Sequence, residues 1–289
     1  MPTAERALLH RGGRAGTWGS LGLWAEGDDD YADACAALAT AVGRAAGVSR
    51  GDRVLSVACG AGDELRLWVQ GFGAAQVTGI ERDRGLVVAA RRSFNVVAGV
   101  VDVRSGSGTD MLSLGLAAGS FDHVLCVDAA YHLRPRESFL QHAFLMLRPG
   151  GRLAYTDLCL DPGGRPLGPA VLRGAARLCG LPVQDLLAVT AQTARLQALG
   201  FESVSASRLD DAVLGGFARY VRQQSRRIAR TLMHRDWRWP GLTARLIGPC
   251  RAAGLGYVLL SATRGNDSAS ARAVRGDATC GAASTAATS

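Results

Sequence analysis

The chain has 289 residues, a formal net charge of +8 and 48% hydrophobic residues, enough to bury a sizeable core as one domain with appendages. Its 33 basic residues are all arginine, and with 37 glycines and abundant alanine this reads as compositional bias, so the charge by itself does not argue for nucleic acid. No run approaches the roughly 18 apolar residues of a spanning helix, and an odd seven cysteines without a Cys-x-x-Cys pair, with no apolar signal core after the first arginines, predict reduced thiols and a cytoplasmic protein.

The first 27 residues are Gly- and Arg-rich with Trp18 and Trp24, and Asp28, Asp29 and Asp30 then stand where N-caps belong, before an Ala-rich helical stretch ending near Gly47. Residues 1–50 are therefore expected to be a leader and lid helix. From Arg53 strands and helices alternate: strand 53–58, helix from Asp63, strand 76–81, helix 84–94, strands 97–103 and 121–127, helix 136–147 and strand 152–160. That alternation means a mostly parallel sheet covered on both faces. Phe139, Leu140, Ala143, Met146 and Leu147 give helix 136–147 its apolar face, and Arg148-Pro-Gly-Gly151 stops it. A Pro/Gly loop (161–169), helices around 170–199, a strand 201–208, an arginine-rich helical stretch and a last strand 256–263 follow. Residues 265–289 lack periodicity and read as a disordered tail.

The chemistry lies in Val54-Leu-Ser-Val-Ala-Cys-Gly-Ala-Gly-Asp-Glu64, a strand breaking into a glycine turn and then a helix. A dinucleotide fingerprint needs a third glycine where Leu65 stands. A P-loop needs a lysine, and the chain has none. Asp63 and Glu64 at the helix start would repel a phosphate, whereas a cofactor with a sulfonium and an ammonium tolerates them, which favours S-adenosylmethionine. Glu81 closes the second strand, where a carboxylate accepts both hydroxyls of an unphosphorylated ribose; the plainer reading is an exposed strand-end acid.

Val54 to Glu64, Glu81, Ser120-Phe-Asp122 and Leu147-Arg-Pro-Gly-Gly151 resemble the successive motifs of class I S-adenosylmethionine-dependent methyltransferases, over about residues 50–160. The resemblance implies a Rossmann-like α/β fold with a seven-stranded mostly parallel sheet, helices on both faces, an N-terminal helical lid and a helical insertion (about 210–250) before the last strand, the methyltransferase domain spanning residues 51–264. It implies cofactor contacts from Ala58, Cys59, Gly60 and Gly62, from Glu81, from Ser107 and Gly108 at the adenine edge with Asp110 as near alternative, and from Val127. Members usually carry Asp-x-Gly-x-Gly-x-Gly, so Ser56 and Ala58 are departures: the first lacks an acid with an indirect contact to the methionine amine, and the second has less backbone freedom than glycine.

After the fourth strand, Cys126-Val-Asp-Ala-Ala-Tyr-His132 lacks the Asn/Asp-Pro-Pro-aromatic clamp that amine-directed members use. The stretch instead resembles the sterol, tocopherol and natural-product sugar methyltransferase group, with Asp128 after the strand and His132 four residues on. The resemblance places that histidine at the transferred methyl, and a neutral imidazole suits the removal of a hydroxyl proton. Asp157, towards the end of the fifth strand, is expected to open into the same crevice and to orient His132 or bind a substrate hydroxyl. The plainer alternatives are a satisfied loop histidine and a turn-capping aspartate. His123 and His142 read as structural, and no Cys/His spacing points to a metal.

Between Phe217 and Arg238 seven arginines face one aspartate, with Phe217, Val221, Ile228 and Leu232 at helical spacing. Such a helix is a solvated face on a packed insertion, or it meets an anionic substrate or an anionic membrane surface. The expected function is transfer of a methyl group to oxygen or activated carbon of a small secondary-metabolite, isoprenoid or quinone-like acceptor, with no nucleic-acid partner. The competing readings are RNA or protein methylation, and a cofactor-binding protein that has lost catalysis.

Overall fold

The structure, a computed structural model, describes residues 9–10, 13, 16–28, 30–94, 100–161, 173–174, 186–228 and 238–266. Asp30 lies in extended backbone and its carboxylate accepts the N–H groups of Ala32 and Asp33, which starts helix α1 (Tyr31–Ala46). Gly47 stops the helix in the left-handed conformation at φ 74°. The buried stripe Tyr31, Cys35, Leu38, Val42 and Ala46 recurs every three to four residues and packs α1 against Val54, Leu125 and Ala154 of the sheet. Each fully buried Leu or Val of this stripe contributes about 1.5–3 kcal/mol.

The sheet has seven strands: β1 (Arg53–Val57), β2 (Gln76–Glu81), β3 (Val101–Ser105), β4 (Phe121–Cys126), β5 (Leu147–Leu160), β6 (Phe201–Arg208) and β7 (Leu255–Arg264), in the order β3-β2-β1-β4-β5-β7-β6. The first five pair in parallel, and β7 runs antiparallel to both β5 and β6. The short helix α2 (Asp63–Arg66), continued by a π turn Leu67–Gly71, and helices α3 (Arg84–Ser93), α4 (Arg136–Met146) and α5 (Val189–Ala198) are the crossovers. Two cores result: one joins α1, α3 and Trp68 to Val54 and Val77, the other joins α4 and α5 to Leu55, Val57, Leu153 and Tyr155. Neighbouring residues of one strand thus feed opposite cores, as the period of two requires. Between β6 and β7 lie helices α6 (Gly216–Ile228) and α7 (Arg238–Ala252).

Parallel pairing brings the carboxyl ends of β1 to β4 to one edge, so segments 58–62, 81–83, 106–110 and 127–132 converge there across the point where the strand order reverses.

Several boundaries differ from the sequence expectation, most by a single residue and chiefly at three strands. The third strand is Val101–Ser105, not 97–103, because its pairing with β2 runs from Val77↔Val101 to Glu81↔Ser105 and the apolar run before it carries no start signal. Residues 95–99 lie outside the described set. The fifth strand starts at Leu147, not 152, because Leu147 already pairs with Phe121 while the Arg148 guanidinium binds Asp122. The segment Arg148-Pro-Gly-Gly151 therefore turns within the strand's own run. The last strand is slightly longer than the expected 256–263, at Leu255–Arg264. Of the helices expected around 170–199 the described part is chiefly α5, and the tail from 267 lies outside the described residues, as do most of the loop 161–169 and residues 229–237.

Candidate active site

The glycine loop rises from β1 by three residues with positive φ: Ala58 at 59°, Gly60 at 58° and Gly62 at 97°. A Cβ on Gly62 would stand 2.9 Å from the Phe94 ring and 3.2 Å from Cβ of Ala90, so glycine lets the loop close onto α3. A Cβ on Gly60 would meet nothing within 4 Å, which leaves open space over its backbone. Cys59 is buried, with its N–H on the Ile80 carbonyl at 3.1 Å, and burial pushes its thiol well up. It is packing rather than a nucleophile.

Glu81, at the end of β2, accepts the Gly60 N–H at 3.0 Å and the Asp83 N–H at 2.8 Å. One carboxylate thus ties the loop after β1 to the turn after β2, and a carboxylate's remaining lone pairs serve for a ligand's hydroxyls. Gly108 is buried, and a Cβ there would overlap Cγ1 of Val57 at 2.3 Å, so the segment after β3 sits directly on the end of β1. Ser107 beside it bonds the Thr109 hydroxyl at 2.7 Å. Val127, buried, closes the group from β4. Asp110, the alternative to Ser107 and Gly108, is exposed. The residues that the sequence singled out for a cofactor, Ala58, Cys59, Gly60, Gly62, Glu81, Ser107, Gly108 and Val127, all fall on one edge. Open backbone at Gly60 flanked by carboxylates suits a cofactor with a cationic sulfonium and a free ribose, and the residues present fit S-adenosylmethionine.

Next to this edge Asp128 adopts φ 53° and is buried. Its N–H donates to the Thr156 hydroxyl at 2.7 Å, and its carboxylate accepts the Tyr131 hydroxyl at 2.8 Å, the Tyr257 hydroxyl at 2.6 Å and the Leu21 N–H at 2.6 Å. Burial pushes it up to about 6, with the donated hydrogen bonds opposing that rise. His132 follows on a single 3-10 turn, exposed, its ring 4.5 Å from that of Tyr131. Crowding by the surrounding chain, then positive charge including Arg134, Arg82 and Arg136, holds its imidazole well below the usual range, at about 4. It is neutral at physiological pH and able to accept a proton.

Asp157 does not join it. The side chain lies on the other face of β5, fully buried, with Oδ2 paired to Nη1 of Arg136 at 2.5 Å and Oδ1 accepting the Leu158 N–H at 2.7 Å. The expectation that Asp157 opens into the crevice with His132 is thus corrected: the alternation of the strand sends Thr156, not Asp157, to the Asp128 side. His123 pairs with Asp52 at 2.9 Å at the opposite end of β1, and His142 donates to the Ser138 carbonyl within α4. Among the described residues no group of His, Cys, Asp and Glu has metal-binding geometry.

Several partners had no sequence signal. Thr17 gives both its N–H and its hydroxyl to Asp63, at 2.6 and 2.8 Å, so the leader crosses the start of α2 before Leu21 binds Asp128. The same segment continues to Trp24, whose N–H reaches the Ala212 carbonyl at 3.0 Å and whose ring stacks on Tyr220 at 4.6 Å. There the leader and α6 enclose an open cavity of about 930 Å³ lined by Trp24, Glu26, Asp28, Arg219, Tyr220 and Arg226. None of the glycine-loop residues lines it. Of the arginine-rich helix, Phe217, Tyr220, Val221 and Gln224 are buried while Arg219, Arg222 and Arg226 are exposed.

A family described as "Methyltransferase domain" matches residues 55–155, the glycine loop through β5. The erythromycin 3''-O-methyltransferase of Saccharopolyspora erythraea is 30% identical over 214 residues, covering 71% of this chain and 68% of that protein. The 27-O-demethylrifamycin SV methyltransferase of Amycolatopsis mediterranei is 28% identical over 251 residues, covering 84% of this chain and 88% of that protein. Among solved structures, the geranyl diphosphate C-methyltransferase of Streptomyces coelicolor A3(2) superposes with a TM-score of 0.68 at 15% identity, covering 91% of this chain and 98% of that one, a likeness of fold.

Proposed function

Because the chain belongs to the S-adenosylmethionine-dependent methyltransferases, we propose that its acceptor is a small molecule of the secondary-metabolite, isoprenoid or quinone-like kind, methylated on a hydroxyl oxygen or an activated carbon, with His132 as the base. The observation that supports the base assignment is an exposed imidazole on the turn after β4, on the edge where the glycine loop and Glu81 also end. The names of the two relatives, both acting on hydroxyls of natural products, support oxygen first.

The bound cofactor supplies an electrophilic methyl group on a sulfonium. Gly60 would let the backbone approach it, with Gly62 closing the loop onto α3; Glu81 would accept its ribose hydroxyls, Ser107 and Gly108 would border the adenine, and Ala58, Cys59 and Val127 would wall the site. His132 takes the acceptor's hydroxyl proton on a ring nitrogen as the oxygen is methylated and, being a weak base, passes it on to solvent. Asp128 positions the leader through Leu21 and Asp157 fixes α4 through Arg136, so neither meets the acceptor. The leader and α6 form the acceptor's side of the site, because the segment that covers Asp63 and Asp128 goes on to build one wall of the cavity. On this reading residues 1–50 are a lid on the domain 51–264. Arg219 and Arg226 then face acceptor or solvent within the cavity, in place of a membrane surface.

The test is a panel of hydroxylated macrolides, deoxysugars, phenols and allylic diphosphates incubated with the protein and S-adenosylmethionine, products being scored by mass and by the atom methylated. Transfer to oxygen or carbon that His132→Ala abolishes supports the reading. Transfer confined to nitrogen, RNA or protein would sink it.

A further inference from the structure

Glu64 is a buried carboxylate with no ion-pair partner among the described residues. One oxygen, Oε1, accepts the Ser56 hydroxyl hydrogen, and the same hydroxyl accepts the Trp68 indole N–H at 3.1 Å. Ser56 stands on β1, Trp68 on the π turn after α2, so the three side chains lock the first turn of α2 onto the end of the first strand. The titratable groups around Glu64 are Cys59 of the loop, Asp63 of its own helix, Glu81 at the end of β2 and Cys126 at the end of β4. Among the described residues these neighbours are acids and thiols, with no cationic side chain.

A charge taken out of water costs several kcal/mol unless it is paired. A site that keeps a carboxylate here, among other acids, leaves the pairing to a cation that arrives. The cofactor of this family carries an ammonium at the end opposite its adenosine. Glu81, on β2, is committed to the loop through the Gly60 N–H; Glu64 is bonded to Ser56 of β1 and acts on Cys126 at the end of β4. Ser56 stands where members of the family usually carry an acid, and its hydroxyl is what holds Glu64.

We propose that Glu64, held on Ser56, is the counter-charge for the methionine ammonium of the cofactor, delivered from the helix in place of the acid that β1 lacks. Burial first, then the neighbouring carboxylates Glu81 and Asp63, push Glu64 up to about 8, with the Ser56 hydrogen bond opposing them. It therefore holds its proton at pH 7 until a cation comes, and an ammonium beside it stabilises the ionised form, so loading the site sends that proton to solvent.

The inference rests on the cofactor assigned by family membership, and the test separates the two. Wild-type protein and Glu64→Gln, which keeps the acceptor for Ser56, are titrated calorimetrically at pH 7 with S-adenosylhomocysteine and with 5′-methylthioadenosine, which has the adenosine but no ammonium. Buffers of different ionisation enthalpy report the protons released. Wild-type protein should release a fraction of a proton approaching one with S-adenosylhomocysteine and none with 5′-methylthioadenosine. Glu64→Gln should bind S-adenosylhomocysteine roughly 10- to 100-fold more weakly, leave 5′-methylthioadenosine unchanged and lose the proton release. Equal weakening of both ligands, unchanged binding of S-adenosylhomocysteine, or a wild-type titration without proton release overturns the role of Glu64, the last needing no variant to fold. Wild-type protein that binds neither ligand instead overturns the cofactor assignment.

Discussion

Glu81→Ala should damage two properties by separable amounts. The carboxylate holds the Gly60 and Asp83 N–H groups at 3.0 and 2.8 Å in a half-exposed setting, where each such bond is worth about 1 kcal/mol once solvent competes. Losing both costs about 2 kcal/mol of stability, and at roughly 2–4 °C per kcal/mol for a domain of this size the melting temperature falls by about 4–8 °C. On the proposed ribose role, binding should lose more, because two charge-assisted bonds to ribose hydroxyls would vanish and the Gly60 backbone would no longer be fixed: about 2–4 kcal/mol, or roughly 30- to 1,000-fold in Kd. Glu81→Gln keeps acceptor oxygen without charge and should fall between wild type and alanine on both scales. Scanning calorimetry measures the first loss and titration with S-adenosylhomocysteine, well below the lowered melting point, the second. If Glu81→Ala melts early yet binds S-adenosylhomocysteine within threefold of wild type, the carboxylate is a strut between two turns and touches no ribose.

His132→Ala should cut kcat by roughly 10²- to 10⁴-fold while the Kd of S-adenosylhomocysteine stays within twofold, since a base acts in the transition state. With its imidazole held at about 4, the accepting form persists as pH falls, so the acid limb of kcat should lie near pH 4; a limb centred near the ordinary 6.5 that the variant erases refutes the crowded environment of the ring. Asp157→Asn breaks a buried ion pair with Arg136 and should cost about 3–5 kcal/mol, or roughly 6–20 °C of melting temperature, with S-adenosylhomocysteine affinity kept; a stable variant with lost turnover would return Asp157 to the chemistry. Ala58→Gly relieves a left-handed alanine at φ 59° and, after the flexibility of glycine offsets part of the gain, should raise the melting temperature by about 1–3 °C; a lower value would mean that the methyl packs usefully.

The alternation of strands and helices, the caps Asp30 and Gly47, the glycine loop with Glu81 and the position of His132 after β4 were all legible in the sequence. Each is local: a cap bonds to residues two or three away, hydrophobic periods repeat within one element, and the loop's glycines reflect backbone conformation at their own positions. Strand limits were less so, because the start of β3 follows from pairing with β2 and the start of β5 from Leu147 meeting Phe121. The partners of the site's acids came only with the tertiary structure. Asp157 looked like a crevice residue until the pleat of β5 turned it to Arg136, and Ser56 looked like a loss until α2 brought Glu64 to it. Asp128 collects Leu21 and Tyr257 from 107 and 129 residues away, contacts that no window of neighbouring residues encodes, since burial of a polar group demands a partner but does not say from where along the chain it comes.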